Sequence, residues 1–248
     1  MHRTSTGTIG RRKEYMNNSV KKISIRQLYT KYKHAIPLLI YGIIYMTWFV
    51  WLEKNVTRYS LIHVTLDDYI PFCELFVIPY FLWFAYVSVV VLWLFFKDKD
   101  DYWRACVFLF TGMTVFLLVS TLFPNGHNLR PAVMPRDNIF TAWVARLYQT
   151  DTPTNICPSI HVYNSLGAHF AIARSRKLSK IRWVRLGSLI LCTLIILSTM
   201  FIKQHSAFDV ITAFVLSAVM YGITYKYDIV TACQARIRAR KKATPQIN

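Results

Sequence analysis

Residues 102–123 read YWRACVFLFTGMTVFLLVSTLF, and the run ends at Pro124-Asn125-Gly126. Its one charge, Arg104, lies near the start. A run of this length matches the ~30 Å hydrocarbon core of a bilayer, and Pro-Asn-Gly is a strong helix terminator. The stretch therefore reads as a membrane-spanning helix. Blocks of the same kind stand on both sides of it, at about 35–52, 70–96, 158–173, 186–202 and 205–225. Pro71 and Pro79 predict an irregular or re-entrant start to the second block. The fourth is short and calls for shelter from its neighbours. The expected fold class is all-α, a polytopic membrane protein with six transmembrane helices. Residues 1–34 form a basic lead-in, 35–225 the membrane domain and 226–248 a basic tail.

Composition agrees with that reading: hydrophobic residues make up 54%, charged residues 17%, and the net charge is +18 over 248 residues. Such a charge suits nucleic acid, but its placement argues otherwise. With the N-terminus inside, the inner segments 1–34, 97–104, 174–185 and 226–248 hold 24 of the 30 Lys and Arg. This positive-inside bias puts both termini in the cytoplasm and removes the need for a nucleic-acid partner. Residues 1–34 lack the apolar core of a signal peptide, and Met16 is a candidate second start. The five cysteines show no metal-ligand spacing and read as free thiols. A Cys73–Cys157 bridge is left open. Residues 138–149 predict a short amphipathic helix with Ile139, Trp143, Leu147 and Tyr148 toward the bilayer surface.

The same topology gathers Arg130, Ser159, His161, Lys203, His205 and Asp209 on the outer side, from separate stretches of chain. His205 and Asp209 are i, i+4 and share a helix face. A carboxylate there fixes the imidazole's tautomer and leaves its other nitrogen free to attack or accept a proton. His161 follows Pro158, read as a helix-start proline, and a helix start suits an anion. A second imidazole suits a general acid. Arg130 carries the planar fork that matches phosphate oxygens, and Lys203 is a further candidate cation. The plainer readings are a polar pair that pins helices, lipid-headgroup contact for Arg130, and snorkelling for Lys203.

Arg130-Pro131, then Pro158-Ser159-Ile160-His161, then Ser198 with His205 and Asp209 resemble the three motifs of the type 2 phosphatidic acid phosphatase superfamily. Phe123, Ile160 and Thr199 depart from the superfamily's Lys, Gly and Arg. Together with Tyr148, Asp151, Pro153 and Asn155, these departures look like the branch related to inositolphosphotransferases of sphingolipid synthesis. The resemblance implies that His205 is a nucleophile forming a phosphohistidine, oriented by Asp209. It also implies that His161 protonates the leaving group, while Arg130 and Ser159 bind phosphate. The expected activity is a lipid phosphate phosphatase in a plasma or inner membrane, with its site on the non-cytoplasmic side. The alternatives are a lipid phosphotransferase and a catalytically silent membrane protein. No cofactor and no metal are expected. The expected partners are the bilayer and a lipid phosphate substrate; oligomeric state is not legible.

Overall fold

Asp98 alone separates two long helices, α4 (Val77–Lys97) and α5 (Lys99–Leu122). Its carboxylate accepts the backbone N–H groups of Asp100 and Asp101, each at 3.1 Å, and so caps α5. The computed structural model describes residues 25–243. Before α4 come α1 (Ile25–Tyr32), α2 (Ile36–Asn55) and the single turn α3 (Thr65–Tyr69). After α5 come α6 (Ile139–Thr150), α7 (Ile160–Arg174), α8 (Arg182–Phe201), α9 (Ala207–Tyr221) and α10 (Ile229–Ala243). A π-helical turn, Gly222–Lys226, continues α9. The chain divides into two units, Met1–Ile40 and Tyr41–Asn248. The first contains α1 and the 3-10 turn Lys33–Ala35; the helix packing and the site described below belong to the second.

Five helices among the described residues are long and apolar enough to cross a membrane: Tyr29–Asn55, Glu74–Lys97, Lys99–Leu122, Arg182–Phe201 and Ala207–Lys226. The expected fourth span falls short of that standard. α7 has 15 residues, ~22 Å at 1.5 Å per residue, against the ~30 Å of a hydrocarbon core. Its shelter explains how it can be short: nine of those 15 residues are buried, and α4, α5, α8 and α9 pack around it. Small residues allow that packing. A Cβ at Gly112 of α5 would meet the Tyr163 ring of α7 at 2.0 Å, and one at Gly167 would meet Phe108 at 2.7 Å. Phe108 and Tyr163 stack with centroids 4.7 Å apart, and the Tyr163 hydroxyl donates to the Phe108 carbonyl at 2.8 Å.

The connections at the His161 end are tied together. β1 (Ser60–Leu61) runs parallel to β2 (Asn125–Gly126), and Gly126 also bridges to Thr154. The Asn125 side-chain oxygen accepts from the Ile156 and Cys157 N–H groups at 2.9 and 3.0 Å. The Pro-Asn-Gly terminator therefore also anchors the loop that leads into α7. The irregular start expected before α4 is the 3-10 turn Glu74–Phe76. Arg136 grips the buried Glu74 with two bonds of 2.6 and 2.5 Å.

Asn138 caps α6 through the Phe140 and Thr141 N–H groups, one residue from the predicted start. Its faces differ from expectation. Ile139 and Trp143 are exposed, whereas Leu147 and Tyr148 pack inward beside Val77, Tyr80 and Ile202. All five cysteines are free, so Cys73 and Cys157 form no bridge. Met16 and most of the basic lead-in lie outside the described residues, as do the last five residues of the tail.

Candidate functional site

The end of α8 sets up the site. The Gln204 N–H donates to the Thr199 carbonyl at 2.9 Å and the Lys203 N–H to that of Met200 at 3.0 Å, which is the Schellman pattern. Lys203 takes the left-handed position with φ 54°, where glycine is usual. The chain reverses there and delivers His205 to the mouth of α9. Ser206 caps α9 by accepting from the Phe208 N–H, and the Asp209 carboxylate reaches back to the Ser206 N–H at 2.9 Å. Such a reciprocal cap holds the first turn closed.

The structure brings His161, His205 and Asp209 together. His205 Nε2 lies 3.5 Å from His161 Nδ1, and His205 Nδ1 lies 3.4 Å from Asp209 Oδ2. That second approach is off the hydrogen-bonding direction, and His205 Nδ1 and Asp209 Oδ1 have no hydrogen-bond partner among the described residues. Asp209 is wholly buried and His205 is 7% exposed. The His161 ring stacks against Tyr80 (4.6 Å) and leans on Trp83 (4.4 Å). These aromatic walls fix its plane.

Pro158 is not the first helical residue, as the sequence suggests; it precedes the cap, behind a cis Cys157–Pro158 bond. Ser159 is the cap, its Oγ accepting from the Val162 N–H at 3.4 Å. Its own N–H donates to the Asp209 carbonyl at 3.3 Å, which joins the mouths of α7 and α9. Ser159 is wholly buried, with its Oγ turned into the cap.

Arg130 stands one residue back. Its guanidinium lies over the Tyr148 ring at 4.4 Å, donates to the Tyr148 carbonyl at 3.2 Å and to Gln204 Oε1 at 2.5 Å, and leaves Nε buried without a partner. Lys203 is not brought to the histidines. Its amine bonds the carbonyls of Asp67 (2.9 Å) and Ile70 (2.5 Å) and lines a separate groove with His63, Asp67 and Asp68. The left-handed backbone at Lys203 turns the side chain away.

A cavity of about 40 Å³ adjoins both histidines, its polar wall supplied by Glu53, Asp151, Thr152, Thr154, Asn155 and Gln204. Sequence reasoning gave most of these no part. Glu53 accepts from Thr152 (2.5 Å) and Asn155 (2.8 Å). Asp151 accepts from Tyr80 (3.3 Å) and Gln204 (3.4 Å). Burial raises the Asp151 carboxyl above its ordinary range, against the opposing pull of Arg130.

Two further residues brace the site from behind. His127 is buried, accepting the Leu129 N–H at Nδ1 and facing the Gln204 carbonyl at 3.0 Å through Nε2. Burial first, then the charges of His205 and Arg130, lowers its pKa to about 4. Asp67, also buried, accepts from Ser206 Oγ (2.6 Å), the Ala207 N–H (2.7 Å) and the Val64 N–H (3.0 Å). Among the described residues no three His, Cys, Asp or Glu side chains converge as a metal site.

No curated protein matches this chain, and no solved structure does. Residues 127–229, which include Arg130, Ser159, His161, His205 and Asp209, match the family model described as PAP2 superfamily, whose members are generally phosphatases or phosphotransferases.

Proposed function

We propose that this protein is an integral membrane lipid phosphate phosphatase working through a phosphohistidine. The observation that carries the reading is the pair of facing imidazoles, with Nε2 of His205 and Nδ1 of His161 3.5 Å apart and Asp209 behind the first. When the His205 ring turns to aim a proton on Nδ1 at Asp209, its Nε2 offers a lone pair to phosphorus. A bond forms from Nε2 to phosphorus, the ester P–O bond breaks, and His161 gives its proton to the departing alcohol. Water then attacks phosphorus, the N–P bond breaks, and His161 takes the water's proton. Inorganic phosphate leaves and His205 is restored.

Attack needs phosphorus ~3–3.5 Å from nitrogen, and the acid must reach the leaving oxygen at ~2.6–3.2 Å. The 3.5 Å between the rings is too short for both, so the rings part on substrate binding. Ser159, wholly buried at rest, donates a hydrogen bond to phosphate once the rings have parted, and Arg130 reaches phosphate by releasing Gln204. Lys203 receives no contact with phosphate in this scheme.

In this reading α7 is the sixth crossing element, both termini are cytoplasmic, and the histidines face the outer side, where a lipid headgroup enters sideways. The positive-inside distribution supports that orientation. A second reading is headgroup transfer of the inositolphosphotransferase kind. It is favoured by the wall of Glu53, Asp151, Thr154 and Asn155, which suits the hydroxyls of an alcohol acceptor.

The purified protein, offered phosphatidic acid and other lipid phosphates, should release inorganic phosphate. His205→Ala should abolish release, and Asp209→Asn should lose about two orders of magnitude or more while keeping its fold. Headgroup exchange without release would favour the transferase. No turnover and no labelled His205 on any lipid phosphate refutes both.

A further inference from the structure

α7 ends at Arg174 after 15 residues, and a groove of about 520 Å³ opens beside that end, between α7, α8 and α9. Phe170, Ala218 and Tyr221 give it an apolar wall, while Arg174 and Arg185 enter it from different helices beside His169. The Arg174 guanidinium lies over the Tyr221 ring at 5.2 Å and donates to its hydroxyl. Arg185 bonds the Ser179 carbonyl at 3.4 Å. Arg104, Arg136 and Arg176 each meet a carboxylate. Among the described residues Arg174 and Arg185 meet none, and no acidic side chain lines the groove. This place is distinct from the paired histidines, because Arg174 is 13 residues beyond His161 on α7, ~20 Å along the axis.

We infer that this groove binds an anionic phospholipid, its phosphate between Arg174 and Arg185 and its glycerol and first methylenes against Phe170 and Tyr221. Guanidinium forks match phosphate oxygens, and basic pockets between membrane helices receive phosphate headgroups. The volume falls within the ~300–1,000 Å³ of small-ligand sites. The apolar wall favours a lipid over free phosphate, and two uncompensated cations favour a net-negative headgroup over a zwitterion.

Native mass spectrometry of the full chain, titrated with phosphatidylglycerol, phosphatidylcholine or inorganic phosphate, tests this. Phosphatidylglycerol should bind in preference to phosphatidylcholine. Arg174→Gln/Arg185→Gln should weaken it roughly tenfold or more, and Arg185→Gln alone, at an exposed position, by a smaller factor. The His205→Ala variant should bind it as wild type does, which separates this groove from the histidine site. Equal binding of phosphatidylcholine, or undiminished phosphatidylglycerol binding in both arginine variants, overturns the proposal. Displacement of the lipid by inorganic phosphate at comparable affinity overturns the lipid assignment.

Discussion

Removing the Asp67 carboxylate should loosen the mouth of α9 more than any other single change in that connection. Asp67 accepts from Ser206 Oγ, the Ala207 N–H and the Val64 N–H at 2.6, 2.7 and 3.0 Å. Ser206 and Ala207 are 0% and 3% exposed, so water cannot replace the lost acceptor without the turn opening. A buried donor left unpaired costs ~1–3 kcal/mol, and loss of a helix cap costs ~0.5–2 kcal/mol. Two such donors, less what the Ser206 hydroxyl regains by rotating, give about 3 kcal/mol for Asp67→Ala. That energy concentrates on the turn that follows His205. Hydrogen exchange reads it directly: about 3 kcal/mol of local opening is roughly a hundredfold faster exchange at the Ala207 amide. Asp68→Ala is the control, because Asp68 is 61% exposed and among the described residues forms an ion pair with half-exposed His63 alone, a contact worth ~0–1 kcal/mol. Unchanged protection across residues 204–210 in Asp67→Ala, with an unshifted melting temperature, refutes the bracing role.

Two other substitutions probe the packing and the loop. Gly112→Ala drives a methyl to 2.0 Å from the Tyr163 ring and should cost ~1–3 kcal/mol. Gly187→Ala meets nothing within 4 Å and should gain ~0.5–1 kcal/mol of helix propensity, so opposite shifts in melting temperature are expected. His127, held near 4, contributes stability that is complete above its ordinary pKa of ~6.5 and is lost as pH falls toward 4. The loss is at most roughly 3 kcal/mol. Melting curves at pH 7 and pH 4.5 should converge in His127→Gln relative to wild type, and equal acid sensitivity in both proteins refutes the assignment.

The legible parts were those that single stretches of chain determine. The apolar block ending at Pro124 is α5, and Asn138 with the periodic residues after it is α6. The i, i+4 spacing of His205 and Asp209 misleads in part: His205 stands before the Ser206 cap, outside α9, so no shared helix face forms, and the capped turn brings the carboxylate within 3.4 Å of the imidazole instead. What could not be read is decided by chain return. Asp67 lies in a connection whose local sequence gives no sign that Ser206 will come to meet it. His127 follows a helix terminator and looks like loop polarity until Gln204 faces it. Lys203 misleads for a different reason. Its two-residue spacing from His205 suggests a shared site, but the left-handed residue that ends α8 sends its amine toward the Asp67 and Ile70 carbonyls. Handedness at a helix terminus is not written in spacing.

The wall of the cavity poses an electrostatic problem for the proposed reaction, because Asp151 and Glu53 line it beside His161 and His205. A phosphate entering there meets carboxylates, while the nearest guanidinium, Arg130, is engaged with Gln204 and Tyr148. Burial offers a way out at Asp151, whose raised pKa keeps the carboxyl protonated over a wider range. As pH falls through that value the cavity loses a negative charge and gains a donor, so phosphate binding should tighten; above it, binding should weaken. A carboxylate and a phosphate oxygen ~6 Å apart at an effective dielectric of ~20 repel by about 2–3 kcal/mol. Asp151→Asn should therefore bind inorganic phosphate roughly 30-fold more tightly than wild type at high pH, and equally at low pH. The ratio of the two affinities, measured by calorimetry in a pH series that starts below the ordinary carboxyl value of ~4, cancels the ionisation of phosphate itself. A ratio that stays at one throughout means that no ionised Asp151 faces the anion, and it refutes the predicted repulsion. A ratio above one but independent of pH means that Asp151 remains ionised and that burial does not govern its charge.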